Sequence, residues 1–298
     1  MTSGGRSGAG VTRPGFVWAA PAAVFFLLFA ILPLLLVAVL SFTSWNGITE
    51  PHFNGLANWT GLIHDPVMIQ SIGTTLLLTV LGVVTQTPIS ILLGVWAAGP
   101  QRNRAVLSAV YFVPLLLSAT AVSVVWRAVL DPNFGVPSQL TWLFGDGNLL
   151  GSRSGAIAVL TFVGVWQFTP LHALIYQGGA RAIPPVLYQA AAVDGAGTVR
   201  QFFHITLPQL RNTIITSMVL MVAGGLTTFD TVLILTQGGP GTDTTVSAYY
   251  MYQKAFKGFD FGAGSAIALV LIVVATLISL AVVRLSGYDR MRSTAEGL

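Results

Sequence analysis

Six stretches of this chain are each long enough to cross a lipid bilayer, and that single fact removes most folds from consideration. They run from about Phe16 to Leu40, Val67 to Ala98, Ala105 to Leu130, Ala156 to Ala180, Leu210 to Thr236 and Ala263 to Val283. A spanning helix needs roughly 20 apolar residues, and each stretch meets that length. In lipid every backbone N–H and C=O must be satisfied inside the segment, so the stretches must be helical. Composition agrees: 54% of residues are hydrophobic and 8% are charged, where a soluble domain carries about 25% charged residues. The connections are short and leave no room for a soluble core domain. The expected fold is one all-α membrane bundle of six transmembrane helices.

The first stretch follows Arg6 and Arg13, like a secretory signal, but its apolar run of about 25 residues exceeds the roughly 7 to 15 of a signal core. No Ala-x-Ala site follows it near Ser41, so it reads as an uncleaved span. Basic residues set the orientation, because cytoplasmic loops retain Lys and Arg. Arg6, Arg13, Arg102, Arg104, Arg181, Arg200, Arg211, Arg284, Arg290 and Arg292 fall at the tail, the second and fourth connections and the C-terminus. Arg127, Arg153, Lys254 and Lys257 fall on the other side. Both termini are therefore expected in the cytoplasm. The organisation is a Gly/Ser-rich tail over residues 1–15, a six-span domain over 16–285 and a second tail over 286–298. The net charge of +4 is accounted for by this topology and calls for no nucleic acid. With no cysteine in the chain, disulfides and Cys-based metal or redox sites are excluded. No internal repeat is evident at the residue level.

Between the fourth and fifth stretches lies a polar, glycine-bearing block. It reads Gln189-Ala190-Ala191, three residues, Gly195, nine residues, Ile205, one residue, Leu207-Pro208. Pro184 and Pro185 suit a first helical turn, Val186 to Val193 reads as a short helix, and Gly195 and Gly197 break it. Thr198 with Gln201 fits a capping box that would start a second short helix through Phe202 and Phe203 toward Leu207. Two short helices meeting at a glycine corner make a knob suited to a groove in another protein. The competing reading is an interfacial loop with Phe202 and Phe203 dipped in lipid.

The block resembles the loop that permease subunits of ATP-binding-cassette importers push into their ATPase partner, with glutamine in place of the usual first glutamate. The likeness extends over nearly the whole chain. Pro21, Pro33, Ser41-Phe42 and Gly55-Leu56-Ala57-Asn58-Trp59 resemble the opening of the carbohydrate-uptake branch. So do Phe229-Asp230, Leu235-Thr236-Gln237-Gly238-Gly239-Pro240, Tyr250, Tyr252 and Ala255-Phe256 near its end. This similarity implies a permease in the cell (inner) membrane, a member of the binding-protein-dependent transport inner-membrane component family. It implies a second homologous permease subunit, cytoplasmic ATPase subunits and an extracytoplasmic sugar-binding protein as partners. The coupling loop it implies is residues 184–208, with Tyr188, Gln189, Ala190, Ala191, Asp194, Gly195, Phe202, Ile205, Leu207 and Pro208 as contact residues. If the usual glutamate pairs with a basic group on the ATPase, Gln189 keeps a hydrogen bond and loses charge assistance, about 1 kcal/mol.

No P-loop pattern is present, and Lys254 and Lys257, the only lysines, lie outside any such motif. The resemblance assigns ATP and Mg to the partner ATPase and leaves this chain without a cofactor. No Ser/His/Asp arrangement, metal cluster or carboxylate pair is placed for catalysis, and His172 has no second ligand at i+4. Sugars take aromatic faces and amide or carboxylate partners, and intramembrane polar groups are costly unless they face a cavity. Trp166, Gln167, Phe229 and Asp230 are the candidates for the substrate pathway. Trp166 and Gln167 also read as core filler and an interhelical hydrogen bond, and Asp230 also reads as the partner of Arg127 in an ion pair that orients two helices. An ion-coupled secondary transporter, with Arg127 and Asp230 as its relay, and an importer of peptides or inorganic ions are the alternative functions.

Overall fold

The computed structural model describes residues 16–99, 102–140, 142 and 147–285. The two tails of the sequence reading, with Arg6, Arg13, Arg290 and Arg292, lie outside the described residues. Helices account for nearly all the regular structure. They are α1 (Ala20–Leu40), α2 (Ala57–His64), α3 (Pro66–Ala97), α4 (Arg102–Leu116), α5 (Ala119–Val129), α6 (Val136–Gln139) and α7 (Arg153–Arg181), followed by α8 (Pro185–Val193), α9 (Thr198–Gln201), α10 (Arg211–Leu226), α11 (Ser247–Tyr252) and α12 (Phe261–Leu285). Among the described residues one two-stranded ribbon, Thr43–Ser44 paired antiparallel with His52–Phe53, closes the turn after α1.

The six-span expectation is only partly met. α1, α3, α7 and α12 are long and apolar enough to cross a membrane, and α4 with α5 makes a fifth only if the two count as one span bent by 93°. The run from Leu210 to Thr236 is not one helix. It divides into α10, of 16 residues, and a π-helical turn at Val232–Thr236, with non-helical backbone between them. The first break falls at Ser118 within an otherwise apolar run, and the second at Thr227-Thr228 between Gly224-Gly225 and Asp230; the runs on either side are apolar enough that averaged hydropathy carries through both. Broken helices are tolerated at membrane depth where other groups take up the freed backbone bonds, and that occurs here. Gln167 Nε2 donates to the Leu117 carbonyl at the first bend, 3.3 Å away. Thr227 Oγ1 bonds the Ala223 carbonyl (3.0 Å) and Thr228 Oγ1 the Gly224 carbonyl (3.3 Å) at the second.

α3 and α7 form the centre. A methyl group at Gly94 would come within 2.5 Å of the Ala173 carbonyl and 2.7 Å of Tyr176 Cβ, so the two backbones approach as only a small residue allows. Ser90 Oγ donates to the Thr169 carbonyl (3.4 Å) and Gln177 Nε2 to the Ala97 carbonyl (2.9 Å) along the same seam. α10 packs against this pair through Gly225, which lies under Thr79, and through the His172 Nδ1 to Ser217 Oγ bond of 2.8 Å. His172 is thus a buried histidine held by Ser217 in the core. α7 is half buried and the least apolar of the long helices, whereas α1 has no buried residue and is among the most apolar. Polarity rises where protein replaces lipid as the neighbour.

Candidate docking loop and membrane pathway

The 184–208 loop folds as two arms about a corner, and local sequence explains each part. α8 begins with Pro185 in its first turn, where a missing N–H costs nothing. It ends at a Schellman cap: the Ala196 N–H bonds the Ala191 carbonyl (2.8 Å) and the Gly195 N–H the Ala192 carbonyl (3.1 Å). That cap puts Gly195 at φ +76°, a left-handed conformation that glycine adopts without penalty. A side chain at Gly195 would meet nothing within 4 Å, so backbone shape, not space, requires glycine. The second arm starts differently from the sequence reading. Gly197, not Thr198, is the N-cap, and it makes no side-chain cap bond. Gln201 Nε2 instead donates to the Ala196 carbonyl (2.8 Å), which ties the second arm back to the corner. A π-helical turn at Phe202–Thr206 and a short helix at Leu207–Gln209 then lead into α10.

The two arms are fastened together by Tyr188 Oη and Thr206 Oγ1, 2.9 Å apart. Gln189, Ala190, Asp194, Gly195 and Pro208 are exposed, while Ala191, Phe202, Ile205 and Leu207 are half-buried. The structure adds three residues to this surface. Val193 is 88% exposed, Val199 72% and Phe203 57%, so three apolar side chains flank the corner with nothing covering them. Apolar residues on both sides of a glycine break were the available signal. Phe203, not Phe202, points outward, and the two rings meet edge to face at 5.1 Å. Leu207 and Pro208 also line an open apolar depression of about 420 Å³ with Arg211, Ile214 and Ile215.

The pathway candidates separate into two groups. Trp166 stacks edge-on against Trp126 (5.5 Å), which also meets Phe162 (5.2 Å), and Gln167 is buried and holds the Leu117 carbonyl. Phe229 and Asp230 sit at the break in the fifth stretch. Phe229 packs on Tyr252 (5.4 Å) and Tyr249 (6.5 Å), and Asp230 is exposed. Asp230 begins a new helical segment just after the break instead of lying in mid-helix. The expected Arg127 to Asp230 ion pair is not formed: Arg127 Nη1 donates to the Ile234 carbonyl (3.3 Å). That carbonyl belongs to the turn following the break, so the guanidinium is engaged by backbone.

Among the described residues the ion pair is elsewhere. Lys254 Nζ lies 3.4 Å from Asp65 Oδ2, and Tyr250 Oη donates a short bond to the same oxygen. Asp65 also caps α3, accepting from the Val67 (2.9 Å) and Met68 (3.3 Å) N–H groups. Burial pushes its carboxyl pKa upward. The bonds from Tyr250, Met68 and Val67 and the Lys254 charge outweigh burial and hold it below the usual 3.8. The site lies far from the loop, since the 32 residues of α3 span about 48 Å at 1.5 Å per residue.

The molecule is thus a bundle of long apolar helices that carries a self-capped, glycine-cornered loop at one end. The chain belongs to the family of binding-protein-dependent transport system inner membrane components, whose model matches residues 90–288. It is an integral, multi-pass component of the cell membrane. The chain is 33% identical over 276 residues, 89% of its length and 93% of the relative's, to the probable ABC transporter permease protein YurN of Bacillus subtilis. It is 32% identical over 258 residues, 85% of its length and 88% of the relative's, to the multiple sugar-binding transport system permease protein MsmF of Streptococcus mutans. Its fold matches a chain of the bacterial alginate ABC transporter, crystallised in complex with an alginate pentasaccharide-bound periplasmic protein. The TM-score is 0.80 at 22% identity, covering 94% of this chain and 96% of that one.

Proposed function

We propose that this chain is one of two permease subunits of an importer that takes up sugars or oligosaccharides delivered by an extracytoplasmic binding protein. The sugar-binding transport system to which MsmF belongs and the alginate pentasaccharide on the periplasmic protein of the alginate transporter support that substrate class. In this reading the 184–208 loop faces the cytoplasm and docks in a groove of the ATPase. The ATPase holds ATP and Mg, and the permease neither binds a cofactor nor catalyses a reaction. The observation that carries the reading is the corner itself, a glycine-capped pair of short helices with Val193, Val199 and Phe203 exposed. Three uncovered apolar side chains on a rigid knob fit a partner groove better than solvent.

Phe229 and Asp230 line the pathway, while Trp166 and Gln167 serve the bundle itself. An ion-coupled mechanism would use Arg127 and Asp230 as a paired relay, and the two are not paired here: Arg127 donates to the Ile234 carbonyl instead. The test is reconstitution of the chain with its second permease, ATPase and binding protein in proteoliposomes. ATP-dependent uptake of a labelled saccharide that requires the binding protein is the expected result. Uptake driven by an ion gradient without ATP, or uptake of peptides alone, would overturn it.

A further inference from the structure

At the end of the molecule opposite the 184–208 loop, aromatic rings form one continuous line. Trp45 meets Phe261 at 5.4 Å between ring centres, Phe261 meets Phe256 at 5.6 Å, Phe256 meets Tyr252 at 5.6 Å and Tyr252 meets Phe229 at 5.4 Å. The line is assembled from the turn after α1, the break in the fifth stretch, and the segment joining α11 to α12. Phe229 and Tyr252 rest against the hydrophobic core at one end of the line, and no ring in it is fully buried. Phe256 is 58% exposed, and Trp45, Phe229, Tyr252 and Phe261 are each only half-buried.

Polar groups along this line are only loosely engaged among the described residues. Lys257 Nζ stands 5.7 and 5.9 Å from the ring centres of Tyr249 and Tyr252. Its one hydrogen bond among the described residues is a long 3.5 Å contact with Tyr249 Oη. Lys254, one turn earlier, is neutralised by Asp65, whereas among the described residues Lys257 has no carboxylate within 4 Å. Tyr252 Oη and the exposed Asp230 carboxylate make no hydrogen bond to described residues. Half-open ring faces beside an ammonium, a phenol and a carboxylate match the two sides of a sugar. Its C–H face packs on an aromatic ring, and its hydroxyls donate to carboxylate or accept from ammonium. An acyl chain would leave the charges unsolvated at a cost of several kcal/mol, so lipid is a poor occupant.

We propose that this line is an oligosaccharide track, on which successive sugar rings stack while Lys257, Tyr252 and Asp230 bond their hydroxyls. This rests on the sugar-uptake reading above. A single hexose would use one step of the line, whereas a chain of sugars engages several at once, so the track favours longer substrates. The test uses cells carrying the complete importer and labelled size series of malto- and cello-oligosaccharides, from the monosaccharide to the hexasaccharide. Phe256→Ala and Lys257→Met should each raise the KM for trisaccharides and longer by about five- to tenfold, the effect of losing one aromatic or cation contact. Monosaccharide uptake should change less than about twofold by the same reasoning, and Phe256→Trp should restore the long substrates. Equal losses at every length, with less assembled importer in the membrane, would make the rings a subunit contact and overturn the track. So would unchanged uptake at every length, which would leave sugar import itself intact. Where the wild-type importer moves neither series, the series is taken from whichever saccharide it takes up with its binding protein; if it takes up no saccharide at all, the sugar-uptake reading fails and the track falls with it.

Discussion

The 184–208 loop and the region from Thr227 to Phe261 lie at opposite ends of the bundle and are held together by opposite means. The loop is fixed by bonds among near neighbours in sequence: Ala196 to Ala191, Gln201 to Ala196, and Tyr188 to Thr206 across 18 residues. The far region is fixed by bonds that reach across the chain. Tyr250 meets Asp65 over 185 residues, the Ser247 N–H meets Thr75 Oγ1 over 172, and Arg127 meets the Ile234 carbonyl over 107. A locally built loop keeps its shape while its outer surface stays free for a partner. A region built from three separate segments keeps its shape only while those segments keep theirs.

The largest break in this comparison should come from Gly195→Val. The left-handed φ at this corner costs an L-residue about 1 to 2 kcal/mol, and valine is further restricted by its branched Cβ. Transport and recovery of the ATPase with the permease should fall about tenfold or more, with normal membrane insertion. Gly195→Asn, which tolerates φ > 0, should be much milder. Equal transport by the valine variant at equal expression would remove the corner's role.

Gln189→Glu sharpens the same end. Restoring a charge to the exposed position should tighten ATPase attachment by about fivefold if the partner presents a basic group, the equivalent of about 1 kcal/mol. An affinity measured on detergent-solubilised complexes checks this. At mid-depth, Gln167→Leu frees the Leu117 carbonyl at the bend. It should lower the thermal stability of the bundle by about 0.6 kcal/mol, the mean for interhelical bonds in membranes. No change in melting temperature would show the bend is held by other groups.

The far end should respond to acid through Asp65. Asp65 has a lowered carboxyl pKa in the folded state, so its contribution is complete above the ordinary value near 3.8 and is lost as pH falls through the folded value. Asp65→Asn should flatten that part of the stability profile between pH 5 and pH 2, by a small amount. A profile identical to wild type would show that Lys254 and Tyr250 gain nothing from the carboxylate.

This contrast also governs what could be read from sequence. Proline at a helix start, glycine at a left-handed cap and a small-residue helix between them are local signals, and α8 and its corner follow from them. The capping box failed by one residue, because Gln201 found the Ala196 carbonyl instead of Thr198. The break after Leu116 was hidden, since a group that makes it tolerable, Gln167, lies fifty residues from Leu117. The Arg127 to Asp230 pairing assumed an intact helix through Asp230. Once the helix breaks, the exposed carboxylate needs no internal partner and the arginine finds a carbonyl.

The most direct test uses the absence of cysteine. Single cysteines at Val199 in the loop and at Phe256 at the far end, each carrying a maleimide-benzophenone, are photolysed in the assembled importer. The Val199→Cys permease should form an adduct with the ATPase, and the Phe256→Cys permease should not. An ATPase adduct from Phe256→Cys, with none from Val199→Cys, would contradict the docking role of the 184–208 loop.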